Sequence, residues 1–209
     1  MNTTTTPAPF KEQPFYQAIL LSLFALFVCG AVAAFSSMTK EAIAARAIED
    51  TQRQLVQVLP TTLYDNRPSE EEITTTMDGK PVHFFRARKD GVGSGVALFA
   101  ETTGYSGTIK LLLGIDAQGE LTGVRVLSHT ETPGLGDNID LSKSNWILSF
   151  NGKSLNHPDE KGWHVKKDGG EFDSFTGATI TPRGVVKGVH EALLRFKAHQ
   201  AEFLDQKGS

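Results

Sequence analysis

The chain has 209 residues, enough for one domain with its own hydrophobic core and an appendage beside it. A formal net charge of −3 and an isoelectric point near 6.1 give no electrostatic footprint for nucleic acid, and no Lys/Arg run interleaves with aromatics. The single cysteine, Cys29, excludes an internal disulfide and any zinc or iron–sulfur site built on cysteines.

Residues 1–14 are rich in Thr and Pro and predict a disordered amino terminus. From Phe15 to Phe35 there is no charged residue. A membrane-spanning helix needs about 20 such residues, so a transmembrane helix is expected over 15–36. A cleavable signal peptide competes, because Ala31-Val32-Ala33 is a small-x-small site. Its apolar core would run about 7–15 residues behind a basic region, whereas only Lys11 lies upstream; a retained anchor is the expectation. Cys29, inside the run, reads as a packing residue rather than a reactive thiol. Lys11 and the amino terminus precede the run, and Lys40, Arg46 and Arg53 follow it. That balance leans slightly towards a body on the inner side, but long domains translocate largely regardless of flanking charge.

Residues 37–60 predict a linker helix. Its apolar positions are Ile43, Ile48, Leu55, Val56 and Leu59, and Pro60 stops it. The remaining 61–209 predict one α+β domain. Residues 61–79 read as polar and turn-rich, with the acidic run Glu70-Glu71-Glu72 on a solvated face. Short strands are expected over 82–87 and 95–100. The runs 107–115 and 121–127 flank Asp116-Ala117-Gln118-Gly119-Glu120 and predict a hairpin. Residues 139–150, carrying Trp146, predict a short helix, and 182–203 a closing one. The fold class is therefore α+β: a meander antiparallel sheet with helices at its edges.

Two loops carry the candidate chemistry. Ser128 to Asp137 follows the second hairpin strand directly, where binding loops often sit. His129 and Glu131 are near neighbours, but no further ligand set with zinc spacing accompanies them, so no metal site is expected. The second loop, 173–181, leads into the last helix. Thr181 has the chemistry of an N-cap and Pro182 that of a first helical residue. Apolar residues then recur at Val185, Val186, Val189, Leu193, Leu194 and Phe196 with helical spacing. A helix start favours an anion, phosphate above all, and Gly177 and Ala178 leave room beside the backbone. By spacing alone a capped helix after a polar loop is the simpler reading. No P-loop, Rossmann glycine pattern or Ser-His-Asp arrangement is present.

The segment Asp173-Ser174-Phe175-Thr176-Gly177-Ala178-Thr179 resembles the flavinylation motif Asp-x-x-[Ser/Thr]-Gly-Ala-Thr of the FMN-binding domain family. The resemblance implies FMN joined by a phosphoester bond to Thr179, with Thr176, Gly177, Ala178 and Thr181 around it. Glu131-Thr132-Pro133-Gly134-Leu135-Gly136 resembles the family's Glu-Thr-Pro-Gly-Leu-Gly loop. That loop is implied to fold against the flavin ring, through Glu131, Thr132, Gly134 and Leu135. The two motifs in this order, one amino-terminal span and a short body resemble the G subunits of Rnf ion-translocating electron transport complexes. Lys166-Lys167-Asp168-Gly169-Gly170 and the stretch from Gly177 to Val186 are also typical of them.

The C subunits of sodium-pumping NADH:quinone oxidoreductases share the FMN domain but are longer, and are the alternative. The resemblance implies a bacterial inner-membrane protein held in lipid by a single span, with its body periplasmic. It implies a relay of electrons between other membrane and peripheral subunits, no NADH oxidation by the chain alone, and loading by a flavin transferase that uses FAD. Lys166 and Lys167 could then balance phosphate charge, and Leu135 and Trp146 could cover the ring. Two further classes stay open: an anchored module that binds a phosphate compound without redox chemistry, and a flavoprotein sensor.

Overall fold

The structure is a computed structural model that describes residues 14–205. The disorder expected at the amino terminus thus falls almost wholly outside the described residues. The chain forms two compact units, Met1–Ala47 and Ile48–Ser209. Helix α1 runs over Pro14–Val56 and contains the whole uncharged run. Within the first unit Phe15, Leu20, Leu21, Phe24 and Phe27 are exposed. Among the described residues no helix is long and apolar enough to cross a membrane, so the span expected over 15–36 is not established by the fold.

The second unit is built on a five-stranded antiparallel sheet in the order β1-β2-β3-β4-β5. The strands are β1 (Glu72–Met77), β2 (Lys80–Lys89), β3 (Val92–Thr103), β4 (Thr108–Asp116) and β5 (Leu121–Ser128). The α+β class and the meander expected from the sequence are both present. Strand β1 falls in the segment expected to be turn-rich. It pairs with β2 through a two-residue turn, Asp78-Gly79, and β2 reaches β3 through Asp90-Gly91. All four turn residues have positive φ, the conformation that primed hairpin turns demand and Asp-Gly supplies.

Alternating side chains give the sheet two apolar faces. On one, Phe84, Leu98, Leu111 and Leu113 pack with Val185, Val189 and Phe196 of α2 (Ile180–Ala198). This helix lies on the face of the sheet against β3, not at an edge. The approach is close because Gly184 and Gly188 leave no side chain between the elements: a Cβ there would meet the Thr103 carbonyl oxygen at 2.2 Å and Thr102 Cβ at 2.6 Å. On the other face Leu55, Val58 and Leu59 cover Phe85, Ala97 and Leu112.

The helix expected over 139–150 does not form. Two 3-10 turns, Gly136–Ile139 and Trp146–Phe150, stand in its place. Short polar side chains between them take backbone partners: Asp140 Oδ1 accepts from the Ser142 N–H, and the Ser144 hydroxyl donates to the Asn138 carbonyl. Such local bonds compete with helix formation. The closing helix also ends earlier than expected, at Ala198. A separate turn, α3 (Gln200–Phe203), is held by buried Arg86, which donates to the carbonyls of Phe203 and Glu202 at 2.7 and 2.9 Å.

Candidate cofactor site

A cleft of about 210 Å³ opens where the loop after β5 meets the start of α2. One wall is Glu131, Thr132, Leu135 and Gly136, the other Gly177 to Thr181, with Tyr105 from the β3–β4 turn.

Glu131 joins the walls. It is 5% exposed, and its two carboxyl oxygens have different partners. Oε1 accepts from the Ser106 N–H at 3.0 Å, and Oε2 accepts from the Thr181 hydroxyl. Glycines make room for it. A Cβ on Gly104 would sit 2.4 Å from Oε1, and one on Gly136 would sit 2.8 Å from Oε2. His129 Nδ1 accepts from the Glu131 N–H at 3.1 Å, which gives this histidine a local structural partner. Among the described residues no His/Cys/Asp/Glu group is arranged to hold a metal ion.

The loop braces itself. The N–H groups of Leu135 and Gly136 donate to the Thr132 carbonyl, and the Gly134 N–H donates to Asp137 Oδ1 at 2.7 Å. Gly134 has φ +77° and open space where a Cβ would be. The position needs glycine for its backbone conformation and not to avoid crowding.

On the other wall Gly177 also has positive φ, in a turn closed by the Ala178 N–H on the Phe175 carbonyl. Trp146 braces this segment from behind: its Nε1–H donates to the Asp173 carbonyl at 2.8 Å, and its ring meets Phe175 edge-on. It does not line the cleft.

Helix α2 begins at Ile180, two residues earlier than expected, so Thr179 and not Thr181 takes the N-cap position. No side chain caps the helix, which leaves first-turn N–H groups without that partner. Thr181 is inside the first turn, 1% exposed, with its hydroxyl committed to Glu131. Pro182 follows within the first turn, where its missing N–H removes no intrahelical bond.

The structure therefore separates three hydroxyls that look alike in sequence. Thr181 is buried and engaged, Thr176 is exposed and lies away from the cleft lining, and Thr179 is half-buried in the wall. Glu131, Thr132, Leu135, Gly177, Ala178, Thr179 and Thr181 come together; Thr176 and Gly134 do not line the cleft. Sequence reasoning missed Tyr105 and Ile180. They are 71% and 49% exposed, and with Leu135 at 44% they give the mouth an apolar rim. The signal for Tyr105 was an aromatic in the Gly-bounded turn 104–107.

Charge beside the cleft comes from the 3-10 turn Lys166–Asp168. Lys166 pairs with Asp173 at 2.7 Å, Lys167 Nζ lies 3.4 Å from Thr179 Oγ1, and Arg183 forks onto Asp168 at 2.5 and 2.6 Å. The Arg183 hydrogen bonds hold the Asp168 carboxyl below its ordinary pKa, and Asp168 raises that of Arg183. An uncapped helix start, a cation and an apolar rim together suit a ligand with a phosphate at one end and a flat ring at the other.

Comparison with known proteins gives this cleft a context. The FMN-binding domain family matches residues 104–194, which include both walls. The G subunit of the ion-translocating oxidoreductase complex of Pseudomonas aeruginosa is 48% identical over 193 residues, covering 90% of each chain. The G subunit of the Cereibacter sphaeroides complex is 43% identical over 208 residues, covering 96% of this chain and 95% of the relative. Among solved structures, Shewanella oneidensis NqrC aligns with a TM-score of 0.47 at 24% identity, covering 68% of this chain and 72% of that one. The 48% and 43% identity to the two G subunits, over nearly the whole length of each chain, establishes that the chain belongs to the family of G subunits of ion-translocating oxidoreductase complexes.

Proposed function

We propose that this chain is the electron-carrying flavin subunit of a membrane-bound, ion-translocating electron transport complex, with FMN esterified through its phosphate to Thr179. The observation that carries the reading is the convergence of two loops, far apart in sequence, on one cleft whose wall presents Thr179 at an uncapped helix start. The residues present fit the group. First-turn N–H groups of α2 and the Lys167 ammonium suit the phosphate, and Tyr105, Leu135 and Ile180 offer apolar surface to the ring. When bound, FMN accepts electrons in pairs and passes them on singly, which no side chain here does. The chain's own task is to hold that group, shield it from water and fix its distance from partners. Glu131 keeps the two walls in register, and the Thr132–Gly136 turn keeps Leu135 at the mouth.

On this reading the partners are the other membrane and peripheral subunits of the complex, and the FMN is loaded by a flavin transferase that uses FAD as donor. The layout extends the same reading. Residues 15–36 serve as a single membrane anchor, 37–60 as a linker helix, and 61–209 as the FMN-binding domain on the periplasmic side of a bacterial inner membrane. A helical run over 15–35 measures about 30 Å, the thickness of the hydrocarbon layer. The test is peptide mass spectrometry on the chain co-expressed with the transferase. The added mass of FMN is expected on the Thr179 peptide of the wild type, with no covalent flavin in Thr179→Ala. Modification at Thr176 or Thr181, or a fluorescent Thr179→Ala band on a denaturing gel, would overturn the assignment.

A further inference from the structure

We propose that Lys167 positions the Thr179 hydroxyl for phosphoryl transfer and then neutralises the phosphodiester that forms. This inference rests on Thr179 being the attachment residue. The turn Lys166–Asp168 grips the segment beside the cleft at three places. Lys166 holds Asp173 at the start of the motif, Asp168 holds Arg183 in the first turn of α2, and Lys167 between them reaches Thr179 itself. The turn is shaped for this grip. Gly169 closes it with φ +87°, and Gly170 passes so near His164 that a Cβ would lie 2.0 Å from its carbonyl oxygen. Surface ion pairs contribute little stability singly, so the arrangement is better explained by where it puts Lys167 than by the energy of the pairs.

In the transfer, Thr179 Oγ1 attacks the FMN-side phosphorus of a flavin dinucleotide. A new O–P bond forms, the bond from that phosphorus to the bridging oxygen breaks, and AMP leaves. The hydroxyl proton passes to a base of the transferase. Lys167, as an ammonium, is a donor and does not take it. Its charge faces the phosphoryl oxygens as negative charge gathers on them. Once the bond is made, the phosphodiester keeps one negative charge beside the Lys167 ammonium.

The experiment follows the loading rate of the purified full-length chain with FAD and the purified transferase, read as covalent flavin fluorescence. A buried donor is worth about 10²–10³ in such a step. Lys167 is exposed and screened, so Lys167→Gln and Lys167→Ala are expected to load about 10-fold more slowly. Lys167→Arg, which keeps the charge, is expected to load near the wild-type rate. Lys187→Gln, the same loss of charge on an exposed lysine of α2 that pairs with Glu191, is expected to leave the rate within about twofold. All four variants should keep wild-type circular dichroism, since the side chains are exposed. Wild-type rates in Lys167→Gln, or an equal deficit in Lys167→Arg, overturn the role of Lys167 and leave the attachment site standing. A wild-type chain with no flavin on Thr179 overturns the attachment reading itself, and this inference with it.

Discussion

Glu131 and Thr181 meet through a buried hydrogen bond that ties one wall of the cleft to the other. Thr181→Val keeps the shape and removes the donor, which leaves a buried carboxyl oxygen short of a partner. Stability should fall by about 1–3 kcal/mol, read from urea denaturation, while FMN still attaches to Thr179. An unchanged midpoint would show that the bond contributes nothing. Gly134 makes a different demand. Its φ of +77° costs a residue with a Cβ about 1–2 kcal/mol, so Gly134→Ala should be destabilised although space is free. If it is as stable as wild type, backbone conformation is not what fixes glycine there. The motif residues were legible because their chemistry is unusual. The burial of Thr181 was not, because a hydroxyl that caps a helix and one that turns inward to a carboxyl read alike in sequence. Only the fold brings Glu131 to it.

Among the elements, the strands were legible where apolar residues alternate, and β1 was hidden by Glu70-Glu71-Glu72 and a run of threonines. Asp78-Gly79 and Asp90-Gly91 nevertheless announce the turns at either end of β2. What sequence could not show is why two glycines sit in β4 and β5. Gly114 and Gly123 are directly paired across the ladder, and the backbone at Val58 rests on them. A Cβ on Gly114 would lie 2.0 Å from the Val58 carbonyl oxygen, which also accepts from the Thr122 hydroxyl. Gly114→Ala should therefore push the segment carrying Leu55, Val58 and Leu59 off the sheet, at about 1–3 kcal/mol. Thermal unfolding of the variant checks this, and a melting temperature equal to the wild type's would mean that the contact gives way without strain.

At the scale of the whole molecule the two units carry different work. Ile48–Ser209 has apolar clusters on both faces of its sheet, and the whole cleft lies within it. Met1–Ala47 contributes the uncharged run, whose long side chains at Phe15, Leu20, Leu21, Phe24 and Phe27 are exposed in α1. Exposed apolar surface of this extent marks a partner, protein or lipid, and the proposed function makes that partner the bilayer. Removing residues 1–47 should therefore release the protein from the membrane without unfolding it. In fractionated cells the full chain is expected to stay in the membrane pellet through a carbonate wash. The truncated chain is expected in the soluble fraction, with a cooperative thermal transition and, if exported and met by the transferase, with FMN on Thr179. A reporter active only outside the cytoplasm, fused after Ser209 of the full chain, should be active. A full chain that washes off with carbonate would remove the anchor from the reading, and an inactive reporter at normal expression would reverse the orientation. Loss of the cooperative transition on truncation would show instead that 1–47 takes part in the domain's fold.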